Sequence, residues 1–196
     1  MRLSENFYLE EFLISETAER HGGDMLEQQR NPDPAVLQNI HYLVQHTLQP
    51  LRTLLKTAMT LTSGYRCLPL NRAIGSKDTS QHVLGQAADI KLSNEIASSV
   101  SRTRIKNIIH SKVRNVTGKP LRSDINANFY LFATACFYRD ELDIDQVIHE
   151  FGADGRPSWV HLSSSNDPDR DKRQILVINS GGTRVIDLEE ALNLGC

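Results

Sequence analysis

The chain has 196 residues, 39% hydrophobic and 23% charged, a balance that suits one domain with a proper core and excludes a disordered or membrane chain. Lys and Arg number 22 against 24 Asp and Glu, for a formal net charge of −2, so there is no basic excess to neutralise phosphates and no nucleic-acid partner is expected. No stretch approaches the roughly 18 apolar residues that a membrane span needs. The opening MRLSENFYLEEF lacks the basic segment and apolar run of a secretory signal. Cys67, Cys136 and Cys196 are odd in number and far apart, which argues against a disulfide framework and against a cysteine zinc site. Synthesis in a reducing cytoplasm is the simplest expectation.

In chain order, residues 3–20 read as an N-terminal arm with one short helix, and residues 21–34, rich in Gly, Asn, Asp and Pro, read as loop. The expected division is an arm and loop over 1–33 and one main domain over 34–196. A helix starts at Pro34, which suits a first helical position, with Asp33 as its cap. Val36, Leu37, Ile40, Leu43, Val44, Leu48, Leu51, Leu54 and Leu55 follow a helical period, and Pro50 is expected to kink or divide it. Met59–Thr62 reads as a short strand ending at Gly64, residues 70–82 as loop, and residues 87–92 as a second strand. Residues 94–116 look helical, with a basic, solvated face made by Arg102, Arg104, Lys106, Lys112 and Arg114. Residues 127–138 are so apolar that strand and buried helix both fit. Residues 146–152 and 158–164 read as two strands about a turn at Ala153–Pro157, and residues 174–188 as a hairpin turning at Asn179–Gly182. The expected fold class is α+β, with helices packed on a small, largely antiparallel sheet.

Three separate stretches carry residues capable of metal chemistry: residues 80–89, 145–150 and 159–161. His82 lies in the loop before the strand that holds Asp89, and the small Gly85, Ala87 and Ala88 between them let the chain fold back closely. An imidazole nitrogen and a carboxylate oxygen can then meet one zinc ion at about 2.0–2.2 Å. His161 can complete the set from a neighbouring strand. Three protein ligands and one open position is the pattern of a catalytic zinc. Spacing alone also allows each histidine to be a satisfied polar group beside a strand.

Ser63-Gly64-Tyr65-Arg66, then Asn71, Gly75, Ser80-x-His82-x-x-Gly85-x-Ala87-x-Asp89 and the distant Trp159-Val160-His161 resemble the LAS group of zinc peptidases. That group contains D-Ala-D-Ala carboxypeptidases, D-Ala-D-Ala dipeptidases and L-alanyl-D-glutamate endopeptidases, and shares its fold with the signalling domain of Hedgehog proteins. The opening Asn6-Phe7-x-Leu9-x-Glu11-Phe12-x-x-Ser15-x-Thr17-Ala18 resembles its phage and prophage branch. The resemblance spans residues 5–90 and 143–165, and leaves residues 95–142 as a possible insertion.

The resemblance implies hydrolysis of a peptide bond in peptidoglycan stem peptides, as a carboxypeptidase or an endopeptidase. It implies zinc held by His82, Asp89 and His161, and substrate contacts from Arg66 and Ser80. Arg66 also suits catalysis, because its planar fork can polarise the scissile carbonyl. Some members carry a Glu base three residues before the last His, where this chain has Ser158. Glu150 fits instead, either as the base or as a brace for a ligand His, while His149 points to the other face of its strand. A Hedgehog-like binding module, or a phage virion component without hydrolysis, is the alternative. Access to the wall would come through lysis, a holin-like pore or delivery on a particle alongside virion proteins.

Overall fold

The computed structural model describes residues 1–92, 104–167, 169 and 172–196. Its centre is a six-stranded sheet of β1 (Thr60–Ser63), β2 (Ala87–Lys91), β3 (Gln146–Ala153), β4 (Arg156–Ser163), β5 (Gln174–Asn179) and β6 (Gly182–Ile186), in the order β1-β2-β4-β3-β5-β6. Every pairing is antiparallel except β3 with β5, which is parallel. The α+β class is as expected, and the parallel pair is the one departure from an antiparallel sheet. The β3–β4 hairpin turns at Asp154–Gly155, and the β5–β6 hairpin turns within Asn179–Gly182.

The N-terminal region is more helical than its composition suggests. It folds as α1 (Leu9–Leu13), α2 (Glu16–His21) and α3 (Gly23–Arg30), so the loop expected over 21–34 is corrected. What fixes α3 is long-range. Gln29 is fully buried, donates to the carbonyls of Leu13 (3.1 Å) and Tyr65 (2.8 Å), and accepts from the Cys67 N–H (2.8 Å). A side chain that satisfies three backbone groups of two other segments overrides a loop-like composition.

The next helix begins at Pro34 as expected, but Asp33 makes no side-chain cap bond. It runs as α4 (Pro34–Leu43), a π-helical turn (Val44–Leu48) and α5 (Gln49–Leu55). Pro50 lies in the first turn of α5, where its missing N–H costs least. The π turn just before it, with the Gln49 N–H bonded back to the Val44 carbonyl, moves the carbonyls out of register with the ring. Residues 68–73, partly inside the expected 70–82 loop, form a further helix, α6 (Leu68–Ala73).

The basic helix is α7 (Arg104–Thr117), and the part of that expectation over 94–103 lies outside the described residues. Its basic face is not simply solvated. Lys106 sits over Tyr130, and Lys112 over Phe137 and Tyr138, so their stems cover aromatic surface. Residues 127–137 resolve as helix α8 (Ala127–Phe137), buried at all but its last position. Burial all round leaves no amphipathic stripe, which is why periodicity could not choose between strand and helix. Asn128 on α8 accepts from the Leu92 N–H (2.8 Å) and donates to the carbonyls of Pro157 (3.0 Å) and Ser158 (3.1 Å). It thus clamps the end of β2 to the start of β4. The chain ends in α9 (Leu188–Asn193). Helix α8 covers one face of the sheet, where Phe132 meets His149 edge-on at 5.5 Å. The other face is open over its centre and holds the site.

Candidate metal centre

Strand register brings the distant residues together. Asp89 on β2 is paired with His161 on β4, and His161 with Ile148 on β3. Trp159 is paired with Glu150 one step along the same face. Between β1 and β2 the register slips by one residue after Leu61, so that Ser63 comes opposite Asp89. This bulge turns the segment after β1 toward the sheet centre. The Thr62 hydroxyl holds it there by donating to the Asp89 carbonyl at 3.0 Å.

His82 arrives from the loop between α6 and β2. Two glycines permit that loop and its neighbour to approach closely. Gly85 has φ +70°, and a Cβ there would lie 2.7 Å from the Val36 carbonyl. A Cβ on Gly64 would lie 2.7 Å from the Cα of Phe12. The Asn39 side chain donates to the Leu84 carbonyl (2.8 Å), and the Arg66 N–H to the His82 carbonyl (3.1 Å).

The three side chains then converge. His82 Nε2 is 3.1 Å from His161 Nδ1 and 3.3 Å from Asp89 Oδ1, and His161 Nδ1 is 3.0 Å from Asp89 Oδ1. All three residues are buried. Bonds of about 2.0–2.2 Å meeting at a tetrahedral angle put donor atoms about 3.3–3.6 Å apart, so this triangle is within a few tenths of an ångström of the spacing one small cation requires. His82 Nδ1 lies 2.6 Å from the Gly64 carbonyl. Donating its proton there leaves Nε2 with a free lone pair aimed at the triangle. The donor set therefore fits a zinc ion, with a fourth direction open to the groove.

Asp89 divides its oxygens. Oδ1 faces the two imidazoles, and Oδ2 accepts from Arg66 Nη2 at 2.7 Å. Arg66 Nε in turn donates to the Ser63 hydroxyl at 2.9 Å. Burial alone would raise the Asp89 carboxyl, but attraction to His82 and hydrogen bonds from His161 and His82 outweigh it and hold the pKa well below the usual carboxylate range. Glu150 is shifted the other way. Burial and then repulsion from Asp89 raise it above its ordinary value, against the pull of His161, Trp159 and Arg66. Its Oε2 accepts from the Trp159 indole N–H at 2.8 Å.

Arg66, Ser80, His82, Asp89, Glu150 and His161 all line one groove of 890 Å³. The structure thus brings these six candidate site residues to one groove. Arg66 is already ion-paired to Asp89, and Ser80 sits half-buried at the groove edge. His149 faces away, buried, and neither ring nitrogen has a hydrogen-bond partner among the described residues; burial lowers its pKa.

Asp145, which opens the second of the three stretches but was given no role from sequence, is 1% exposed. Its two carboxylate oxygens accept from the Gln81 side-chain amide and the Lys172 N–H, and its carbonyl accepts from the Gln174 N–H at 2.7 Å. It ties the His82 loop to the segment before β5. The local pattern holds no signal for this, because its partners are 64 and 27 residues away.

No curated protein matches the chain. A family model described as Peptidase M15 matches residues 5–121, a span that contains Arg66, Ser80, His82 and Asp89 and ends before Glu150 and His161. With more than half of its length matched, and the remaining donor supplied to the same triangle by β4, the chain belongs to the peptidase M15 family, the LAS-type zinc peptidases.

Proposed function

We propose that the protein hydrolyses a peptide bond in the stem peptides of bacterial peptidoglycan, as a phage-type murein peptidase. In this reading zinc is held by His82 Nε2, Asp89 Oδ1 and His161 Nδ1. The observation that carries it is a buried three-donor triangle at the floor of an open groove, with Glu150 on the same face. Three protein donors leave a position free, which separates a catalytic from a structural zinc. When bound, the ion would supply Lewis-acid chemistry, polarising a carbonyl and lowering the pKa of water toward about 7.

The chain's own residues do the rest. Glu150 Oε1, the oxygen not engaged by Trp159, accepts the proton of the attacking water and Glu150 returns it to the leaving amine. The Trp159 indole fixes the carboxylate's orientation. Arg66 holds Asp89 through one amino group and Ser63 through Nε. Its other N–H groups are left to bind a substrate carboxylate or carbonyl oxygen. Ser80 offers its hydroxyl to the substrate from the groove edge.

The test is incubation of purified peptidoglycan with the protein, with and without a chelator, and identification of the released fragments by mass. Fragments that form only without chelator are expected. Glu150→Gln should keep its zinc and lose about 10²–10⁴-fold in rate. Absence of chelator-sensitive fragments would sink the peptidase reading, and a fully active Glu150→Gln would remove Glu150 from the role of base.

A further inference from the structure

The groove does not end at the metal triangle. From His161 on β4 the same sheet face continues through Ile148 on β3 to Leu176 on β5 and Val185 on β6, each paired with the last. A second row runs from Trp159 and Glu150 to Ile178 and Thr183. Three steps between neighbouring strands at about 4.8 Å each span about 14 Å, the length of about four extended residues. Beyond Glu150 this floor carries no charged side chain in either row.

Its rims mix charged side chains, Lys77, Asp169 and Lys172, with exposed apolar ones. The described residues include seven large hydrophobic side chains that are exposed; two of them, Ile74 and Phe151, line this groove, and a third, Val185, is paired with Leu176 of its floor. Phe151 is 42% exposed beside Trp159, with ring centroids 5.3 Å apart. Ile74 (46%) also lines the groove, and Val185 (61%) lies opposite Leu176 on the edge strand β6. Phe151 is held at φ +50°, a conformation that costs a non-glycine residue about 1–3 kcal/mol and persists where the surroundings enforce it. An aromatic ring presented to water from a strained backbone, continuous with a reaction centre, has the form of a ligand contact.

We infer that the floor Ile148–Leu176–Ile178, with Phe151 and Val185 at its rims, is a binding subsite for an extended peptide with small apolar side chains, such as alanyl residues. Its occupant is the substrate chain on one side of the scissile bond. The site therefore selects by length, and favours a bond inside a stem peptide over the same bond in a dipeptide. This rests on the peptidase reading for its occupant, and on the groove itself for everything else.

Trp159 is the chain's single tryptophan and touches Phe151, so its fluorescence reports on this subsite. Zinc-loaded protein is titrated with a stem pentapeptide and with D-Ala-D-Ala and L-Ala-D-Glu dipeptides, and hydrolysis of each is followed separately. The pentapeptide should bind at least about tenfold more tightly than either dipeptide. Phe151→Ala should cut that length preference about tenfold, chiefly through Kd and KM rather than kcat. Val185→Glu, on an exposed edge where folding is not at stake, should cut it about threefold. Equal affinity for long and short peptides, absence of binding, or a preference unmoved by both variants would each overturn the subsite. Pentapeptide binding that depends on Phe151 but yields no hydrolysis would keep the subsite and refute the peptidase reading.

Discussion

Asp89 and Glu150 are carboxylates in the same groove, yet their surroundings push them in opposite directions. Two imidazoles hold Asp89 ionised as a donor, while burial and the charge of Asp89 raise Glu150. Environments that separate two titratable groups in this way commonly mark a division of labour between them. The sign for Glu150 is that a base works only when deprotonated. Its activity should therefore be present at neutral pH and fall as pH drops through a pKa above the ordinary carboxylate value of about 4.3. The rate–pH profile of the wild type should show that acid limb. Trp159→Phe removes the indole donor that favours the ionised form, so its limb should move to higher pH. A limb that stays fixed in Trp159→Phe would separate it from Glu150. At this scale the sequence was readable for identities and unreadable for states, since the two carboxylates differ only in neighbours supplied by other strands.

At the scale of elements, the site depends on loops pinned by buried polar side chains. Asp145 and Gln29 are the two principal pins. Asp145→Ala leaves the Gln81 amide and the Lys172 N–H without their acceptor, and an unsatisfied buried donor costs about 1–3 kcal/mol. A loss of about 2–4 kcal/mol in denaturant unfolding is expected, with weaker zinc retention because Gln81 adjoins His82. Gln29→Leu should cost about as much by stranding the Tyr65 carbonyl and the Cys67 N–H. It should also expose α1–α3 to proteolysis while the sheet remains intact. Unchanged unfolding midpoints in both variants would show that these bonds are replaced by water. The strands, the helix at Pro34 and the hairpin at Asn179–Gly182 were legible because period and turn chemistry are local signals. Helix α3 was not, because the backbone groups that hold its Gln29 come from Leu13, Tyr65 and Cys67, far along the chain.

For the whole molecule, the metal triangle joins β2, β4 and the His82 loop, so an ion there would crosslink three elements and add its binding energy to folding. Zinc at about 100 times its Kd should stabilise by about 2.7 kcal/mol, which for a chain of this size raises Tm by about 5–10 °C. A chelator should reverse the shift, and His82→Ala or His161→Ala should abolish it. An equal shift in those variants would move the ion elsewhere. The sequence by itself determined the donor types, the loop-to-strand arrangement of His82 and Asp89, the α+β class and most strands. These follow from side-chain chemistry and short-range periodicity, which need no partner. Only the tertiary structure decided that His161, 72 residues after Asp89, closes the same triangle, that Arg66 grips the second oxygen of Asp89, and that the groove runs on to β6. Those facts depend on strand order and register, set when buried faces choose one another across the sheet.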